Sequence, residues 1–300
     1  MLTIIGAGKF GQAISKLLGS NPHQLVDVEP DGSYSSATVE NIKNADQLII
    51  CVPSAYLEAC CTMNARNIKP TTQILSCVKG VFPELQTPTE LIQRTFKNPL
   101  AAFNGPNLST EIMLGRPAMA TIAGDDAETW ATLFRSPTFA VSVDEDSVGS
   151  EFGAAVKNII ALGAGFIDGY YDGNACNTMG SFVTFALSEV EQLYTHKSSS
   201  PLPRLSFIGD LFATCFSETS RNHQYGNLFG TALREKKPLP QAEGTVEGYR
   251  TLAMVHAYLH KHHIASPVVE ALYSIFYEQG SMEDLIESWH ATCRNATGVL

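Results

Sequence analysis

A lysine within an almost wholly apolar segment is the residue of this 300-residue chain best suited to chemistry. Lys157 lies in FGAAVKNIIALG, at positions 152–163, which predicts a buried helix because it is apolar almost all round. A buried ammonium is costly unless it is paired, and burial lowers a lysine pKa toward the working pH, which suits a general acid or base. The alternative is a lysine whose stem lies along the helix while its ammonium reaches water.

A carboxylate in a second apolar segment is the predicted partner of this lysine. Asp210 lies in FIGDLFAT, and Thr214 follows it at i + 4, so a helix would place both side chains on one face. Arg221 and Asn222 come shortly afterwards. The planar guanidinium of an arginine suits a phosphate group, and an asparagine beside it adds a donor.

A second lysine, Lys79, follows a predicted strand in the segment SCVKG. Ligands of open parallel sheets bind at the carboxyl ends of the strands, where this lysine would reach a carbonyl or phosphate oxygen. A surface lysine that simply ends a strand is the alternative.

Three glycines near the amino terminus form GAGKFG between a predicted strand and a predicted helix. They are Gly6, Gly8 and Gly11. Dinucleotide sites need glycines at this spacing for a tight turn, for close approach of the pyrophosphate to the backbone, and for packing of the helix near the strand. The start of the helix offers N–H groups to the phosphates. The spacing therefore predicts a dinucleotide site.

Two acids follow at the end of the second predicted strand, where a dinucleotide site has a carboxylate for the ribose hydroxyls. They are Asp27 and Glu29, and the residues alone do not decide between them. Between Lys16 and Lys43 the sequence has no lysine or arginine to meet the 2′-phosphate of NADP. We expect NAD to be preferred.

The elements that must position these residues change character midway along the chain. Helical patterns follow from about Ser147 onward, with loops at 197–203 and 238–240. The first half alternates helical patterns with strands, predicted at 2–5, 24–28, 46–52, 73–78, 100–104, 118–123 and 138–143. This order predicts an α/β fold, with an open parallel-sheet domain over residues 1–143 and an all-helical domain over residues 144–300.

The charge and the cysteine content of the chain indicate which partners and which compartment to expect. The chain has 30 acidic and 20 basic residues and a net charge of −10, which disfavours nucleic acid and anionic membranes. Seven cysteines without a CxxC pair predict reduced thiols in a cytoplasmic protein. We see no signal peptide. The longest apolar stretch, at 152–167, contains Lys157 and is predicted to be too short to span a bilayer.

Four histidines cluster in the last third of the chain. They are His256, His260, His262 and His263. The first two are spaced i, i + 4, which would suit a metal, but no third-ligand pattern accompanies them. We therefore interpret them as a solvated helix face and predict no metal.

Taken in order, several segments resemble the NAD(P)-dependent glycerol-3-phosphate dehydrogenase family. They are GAGKFG at 6–11, VKGV at 78–81, GPN at 105–107, VKNIIALGAGFIDG at 156–169, GDLFATC at 209–215, SRN at 220–222 and PVVEALYSIFYE at 267–278. The resemblance covers almost the whole chain. It implies a Rossmann-type N-terminal domain, a helical substrate domain and an active site between them. It also implies interconversion of sn-glycerol 3-phosphate and dihydroxyacetone phosphate, with NAD as the expected cofactor and NADP as the alternative.

The resemblance also implies individual roles. Lys157 is the expected proton donor and acceptor, with Lys79, Asn158, Asp210 and Thr214 completing the catalytic set. The expected substrate-binding residues are Lys79, Asn107, Arg221 and Asn222. The expected cofactor-binding residues are Gly6, Gly8, Lys9, Phe10, Gly11, Asp27, Glu29, Lys79, Arg221 and Glu243. A small phosphorylated substrate is expected, and a homodimer is the expected assembly.

The sequence departs from the family at three places. The segment 30–44 is short, and Met179 and Phe185 stand where family members commonly have a lysine and an arginine. Two alternatives remain open. One is a related two-domain dehydrogenase that acts on a β-hydroxy acid or ketopantoate. The other is a nucleotide-binding regulatory protein without catalysis.

Overall fold

The computed structural model describes residues 1–29, 32–198, 204–217, 219–242 and 246–297. The strands are β1 Leu2–Ile5, β2 His23–Val26, β3 Gln47–Ile50, β4 Gln73–Ser76, β5 Leu100–Asn104, β6 Ala118–Gly124 and β7 Phe139–Asp144. The helices are α1 Lys9–Leu18, α2 Ser36–Asn44, α3 Leu57–Asn64, α4 Pro88–Thr95, α5 Ser109–Met113, α6 Ala127–Phe134, α7 Ser147–Tyr170, α8 Cys176–Tyr194, α9 Arg204–Cys215, α10 Arg221–Arg234, α11 Glu247–His262, α12 Pro267–Tyr277 and α13 Met282–Thr297.

The chain divides into two compact units. The first comprises Met1–Gly80, Gln86–Glu151 and Pro203–Gly209, and the second comprises Val81–Leu85, Phe152–Leu202 and Asp210–Leu300. This division passes through helices α7 and α9. The predicted domain boundary at residues 143 and 144 lies shortly before Glu151 and stays a prediction.

The seven strands of the first unit form one sheet in the order β2-β1-β3-β4-β5-β6-β7. Neighbouring strands are parallel except for β5 and β6, which are antiparallel. The predicted α/β class is confirmed, and the direction of β6 is the departure from an all-parallel sheet. Because β2 and β3 flank β1, the strand order reverses at β1, which is where open α/β sheets bind their ligands.

Three predicted strands are shorter in the structure than the apolar pattern indicates. β2, predicted over 24–28, ends at Val26. β3 ends at Ile50, before Val52 and Pro53. A proline has no backbone N–H, so Pro53 cannot continue the ladder. β4 ends at Ser76, which leaves Lys79 in the connection that follows the strand.

The second unit is built from helices around α7. By length and hydropathy α7 could cross a membrane, but 94% of its apolar window is buried within the protein. The apolar stretch predicted at 152–167 lies within this helix, which extends beyond it at both ends to 24 residues. Its burial is that of a core helix, as expected for a segment that is apolar all round.

Helices α7 and α10 approach one another so closely that side chains do not fit between them. A Cβ at Gly226 would lie 2.1 Å from the Leu162 carbonyl oxygen, and one at Gly230 would lie 2.1 Å from that of Phe166. On α7, a Cβ at Gly165 would lie 2.1 Å from the His223 carbonyl oxygen. We call this contact the α7–α10 glycine seam. It sets the spacing of the polar residues that the two helices carry.

Candidate functional site

The glycine-rich loop joins β1 to α1 at the carboxyl edge of the sheet. Gly6 has φ of 104°, and a Cβ there would lie 2.8 Å from the Cys51 carbonyl oxygen. A Cβ at Gly11 would lie 1.8 Å from the Gly6 carbonyl oxygen. At Gly8, by contrast, nothing in the described protein beyond its chain neighbours lies within 4 Å of the Cβ position. The loop is thus packed on one side and open to a ligand on the other.

The start of α1 supplies positive electrostatic potential beside that open face. Gly8 precedes the helix without a side-chain cap, and the first turn contains no acidic residue. Lys9 is exposed at the first helical position. Phe10 is half-buried, with its ring centroid 6.3 Å from that of Phe103, so its side chain belongs to the packing of the unit. Helix N–H groups and an unopposed lysine favour a phosphate at this place.

Asp27 lies directly after β2 and binds the loop. Its two carboxylate oxygens accept hydrogen bonds from the Ala7 and Val28 backbone N–H groups, each at 2.8 Å. Glu29 is exposed, and its backbone N–H donates to the Ser33 carbonyl oxygen. The structure therefore brings Asp27, rather than Glu29, to the glycine loop. Glu243, which was also expected to bind the cofactor, lies outside the described part of the chain. So do the first two residues of the short segment 30–44.

The open face at Gly8, the start of α1 and the carboxylate of Asp27 fit the phosphates and ribose of a dinucleotide. Phosphate oxygens would meet N–H groups and Lys9. Ribose hydroxyls would meet a carboxylate that is held by two backbone donors.

Lys79 lies at the same edge of the sheet, after β4. Its Nζ donates to the Gly105 carbonyl oxygen at 3.3 Å and to Asn107 Oδ1 at 3.2 Å, just after β5. Asn107 is buried, and its Nδ2 has no hydrogen-bond partner among the described residues. Because an unpaired buried donor is costly, this amide is suited to an acceptor on a bound ligand.

In the second unit, Lys157 and Asp210 form a buried ion pair. Their side chains are 5% and 2% exposed, and Lys157 Nζ contacts Asp210 Oδ1. Lys157 Nζ also donates to Thr214 Oγ1 at 2.9 Å, and the Thr214 hydroxyl donates to the Asp210 carbonyl oxygen at 2.6 Å. α7 carries the lysine, while α9 presents the aspartate and the threonine one turn apart.

The thiol of Cys215 lies near this pair. Burial raises the pKa of the neighbouring Cys215 thiol to about 12, so the sulfur is neutral at ordinary pH. The lysine charge is thus balanced by the Asp210 carboxylate and not by the thiol.

Asn158 and Asn222 hold each other across α7 and α10. Asn222 Nδ2 donates to Asn158 Oδ1 at 2.9 Å, and Asn222 Oδ1 accepts from the Gly248 N–H at 2.9 Å. Asn158 Nδ2 donates to Glu247 Oε2 at 3.4 Å. Glu247 and Gly248 were not among the residues predicted from the sequence. No motif marks them, because their part depends on the approach of α11 to α7.

Arg221 is the first residue of α10. Ser220 caps this helix, its Oγ accepting from the His223 N–H at 3.4 Å. Arg221 is exposed and makes no ion pair with any residue that the structure describes. A helix start and a guanidinium both favour an anion, so this end of α10 is suited to a phosphate group.

The two positions at which the sequence departs from the family take part in local packing. Phe185 stacks on Trp289 with ring centroids 5.7 Å apart, and Met179 is half-buried in the first half of α8. Neither side chain supplies a charge.

Two family models match successive parts of the chain. The family model of the NAD-dependent glycerol-3-phosphate dehydrogenase N-terminus matches residues 28–130, and that of the C-terminus matches residues 146–287. The chain is 30% identical over 295 residues to glycerol-3-phosphate dehydrogenase (NAD(P)+) of Acaryochloris marina, with 96% of this chain and 94% of the relative covered.

Two further comparisons agree. The chain is 34% identical over 272 residues to the protein of the same name from Streptomyces griseus, covering 86% of this chain and 80% of the relative. Its fold is similar to the crystal structure of glycerol-3-phosphate dehydrogenase from Coxiella burnetii, with a TM-score of 0.79, 24% identity and 97% of each chain covered. The chain therefore belongs to the NAD-dependent glycerol-3-phosphate dehydrogenase family, as an enzyme that uses NAD(P).

Proposed function

We propose that Lys157 is the general acid and base with which this enzyme interconverts sn-glycerol 3-phosphate and dihydroxyacetone phosphate. The observation that carries the proposal is the buried ion pair of Lys157 with Asp210. Replacing a buried ion pair by apolar side chains often leaves stability unchanged or raises it. Stability alone therefore gives little reason for this pair, whereas proton transfer gives a direct one.

The proposed proton path starts at Lys157 Nζ. In the reducing direction the ammonium gives a proton to the oxygen developing on C2 of the substrate, and in the oxidising direction the neutral amine takes it back. Asp210 stabilises the ammonium, and Thr214 fixes its direction through the 2.9 Å hydrogen bond. When bound, the nicotinamide ring supplies or accepts the hydride.

The substrate phosphate is assigned to Arg221. Its guanidinium is exposed at a helix start, and both features attract a dianion. Asn222 supports this position from behind, since its Nδ2 donates to Asn158 and its Oδ1 accepts from Gly248. Lys79 and the unpaired donor of Asn107 are assigned to substrate and cofactor oxygens at the edge of the sheet.

An unphosphorylated acid is the alternative substrate. A β-hydroxy acid or ketopantoate would present a carboxylate of single charge in place of the phosphate. The family match favours the phosphorylated substrate. A regulatory protein without catalysis is disfavoured because the Lys157, Asp210 and Thr214 set is complete.

The proposal extends to where the enzyme works and how it assembles. A cytoplasmic location agrees with seven cysteines that form no disulfide among the described residues. The net charge of −10 disfavours binding to nucleic acid and anionic membranes. Association into a homodimer has an apolar surface available at Phe212 and Phe216, which are exposed and stacked 5.6 Å apart.

The test is NADH oxidation by the purified enzyme with and without dihydroxyacetone phosphate. In Lys157→Met we expect turnover to fall by at least about 10²–10⁴-fold, because the acid is lost, while the Kd for NADH is unchanged. Lys237→Met, which removes an exposed lysine, is the matched control. Since Met leaves Asp210 buried without its partner, Lys157→Met/Asp210→Asn gives a folded comparison. Turnover above half of the parent value in either variant would refute the role.

A further inference from the structure

Two histidines and a glutamate converge on the second unit, outside the residues assigned above. His256 and His260 are spaced i, i + 4 on α11, and Glu270 lies in the first turn of α12. His256 Nε2 lies 3.0 Å from Glu270 Oε2, and His260 Nε2 lies 3.3 Å from the same oxygen and 3.2 Å from Oε1. Taking one possible ligand atom from each side chain, the three atoms all lie within 4.8 Å of one another.

These separations are those between the ligands of a small tetrahedral ion. Zinc binds histidine nitrogen at about 2.0–2.1 Å and carboxylate oxygen at about 2.0–2.2 Å, which puts neighbouring ligand atoms about 3.3 Å apart. The two histidine–carboxylate separations therefore already match those that the ion requires. Two neutral imidazoles and one carboxylate are also a ligand set that zinc sites use, with a fourth position left to water.

The surroundings hold the ligands and leave a way in. The His256 ring stacks on Tyr273, with centroids 3.6 Å apart and planes at 1°, so its orientation is fixed. The His260 side chain is 63% exposed, which gives the ion access from solvent. Lys261, which follows His260 in sequence, forms an ion pair with Glu84 at 2.8 Å and not with Glu270.

We propose that His256, His260 and Glu270 bind one Zn²⁺ ion. This inference departs from the expectation that the histidines only form a solvated face. That expectation rested on the lack of a third ligand near them in sequence. Glu270 supplies it from the next helix, ten residues beyond His260.

The ion would join α11 to α12. The first turn of α11 carries Glu247 and Gly248, which contact Asn158 and Asn222. A ligand that binds only the folded state adds stability in proportion to its saturation. Zinc is therefore expected to raise the thermal unfolding temperature of the enzyme, independently of whether substrate is present.

The experiment uses the full-length, untagged enzyme after treatment with a chelator and dialysis. Zn²⁺ is titrated against a chromophoric competitor, and unfolding is followed with and without Zn²⁺. We expect one equivalent bound with Kd of about a micromolar or tighter, and a higher unfolding temperature. His260→Ala and Glu270→Gln should each weaken this binding by more than the roughly 10–100-fold that loss of an outer hydrogen bond costs. Both should abolish the shift in unfolding temperature.

Two controls separate this site from others. His290→Ala removes an exposed histidine of α13 and should leave the titration unchanged. Co²⁺ in place of Zn²⁺ should give a tetrahedral spectrum without thiolate charge-transfer absorption, because no cysteine belongs to the set. The proposal is overturned if no equivalent binds, if His260→Ala binds as the parent does, or if the cobalt spectrum shows thiolate ligation. If no zinc binds, the three side chains form only histidine–glutamate pairs.

Discussion

Arg221 places a positive charge at the amino end of α10, where the helix dipole is also positive. Helix N-termini have partial positive charge, and a cation there is unfavourable by a few tenths of a kcal/mol up to about 1 kcal/mol. The side chain is exposed, so packing does not account for it either. A bound anion turns the same arrangement into a favourable one.

Replacing this arginine should therefore cost binding and not stability. In Arg221→Ala we expect KM for dihydroxyacetone phosphate to rise about 10–100-fold, since a hydrogen bond to a charged group contributes roughly 1.5–3 kcal/mol. The preference for this substrate over unphosphorylated dihydroxyacetone should shrink by the same factor. Steady-state kinetics with both substrates measures it. Arg250→Ala, at an exposed position of α11, is the control, and an unchanged preference in Arg221→Ala would contradict the assignment.

The choice between NAD and NADP is expected to rest on Asp27. Two backbone N–H groups hold its carboxylate beside the glycine loop, where a 2′-phosphate would meet negative charge. A few kcal/mol of repulsion gives roughly a hundredfold preference for NADH in kcat/KM. Asp27→Asn should remove most of that preference, whereas Glu29→Gln should not. Equal kcat/KM values for NADH and NADPH in the parent would refute this account of Asp27.

At the scale of elements, the α7–α10 glycine seam joins the helix with the proposed acid to the helix with the proposed phosphate ligand. Backbone lies against backbone there, so the contact has no flexible side chain that could yield to an added methyl group. Overpacking at such a contact shifts the helices apart and is destabilising.

A pair of glycine substitutions tests the seam. Gly226→Ala should lower the free energy of unfolding by about 1–3 kcal/mol or more, because its Cβ would lie 2.1 Å from the Leu162 carbonyl oxygen. At Gly180, an exposed position of α8, no described residue beyond its own helix backbone and chain neighbours lies within 4 Å of the Cβ position. Gly180→Ala should therefore raise the free energy of unfolding by up to about 1 kcal/mol through helix propensity alone. Urea denaturation of the two variants and the parent measures the difference. A Gly226→Ala variant as stable as Gly180→Ala would show that the helices are not in this contact.

Local patterns predicted some of these elements well. β1 and β5 begin and end where their apolar runs do, and Asp210 and Thr214 are neighbours because the i + 4 spacing of a helix makes them so. Contacts between elements that are distant in sequence could not be predicted from the sequence. The direction of β6, the contact of Asn158 with Glu247 and the placing of Glu270 beside two histidines all arise from packing, which no local period encodes.

At the scale of the whole molecule, a buried carboxyl makes stability depend on pH. Glu151 accepts hydrogen bonds from the Thr89 N–H at 2.8 Å and its hydroxyl at 2.6 Å, while burial raises the pKa of this carboxyl to about 7. The folded state therefore holds a proton that the unfolded state, with its ordinary value of 4.5, releases earlier. Stability falls as the pH rises from about 4.5 to about 7, by roughly 3 kcal/mol at about 1.4 kcal/mol per pKa unit.

Glu151→Gln imitates the protonated acid and should remove that dependence. We expect the variant to match the parent in thermal stability near pH 5 and to exceed it near pH 8, by up to about 3 kcal/mol. Unfolding temperatures at four pH values between 5 and 8 measure the slope. Glu145→Gln, at an exposed position, should keep the slope of the parent. A Glu151→Gln variant that loses stability in parallel with the parent would place the titrating group elsewhere.

The glycine seam also bears on which substrates the enzyme accepts. With the roles proposed for Lys157 and Arg221, one end of the substrate is bound from α7 and the other from α10. Because backbone contact sets the spacing of these helices, the separation of the two backbones that carry these groups is fixed, and only the side chains can adjust. The helix pair then limits the length of substrate that the two groups can bind together. A polyol phosphate with one more carbon between its carbinol and its phosphate carries the same functional groups, and we expect it to be a poorer substrate because of its length.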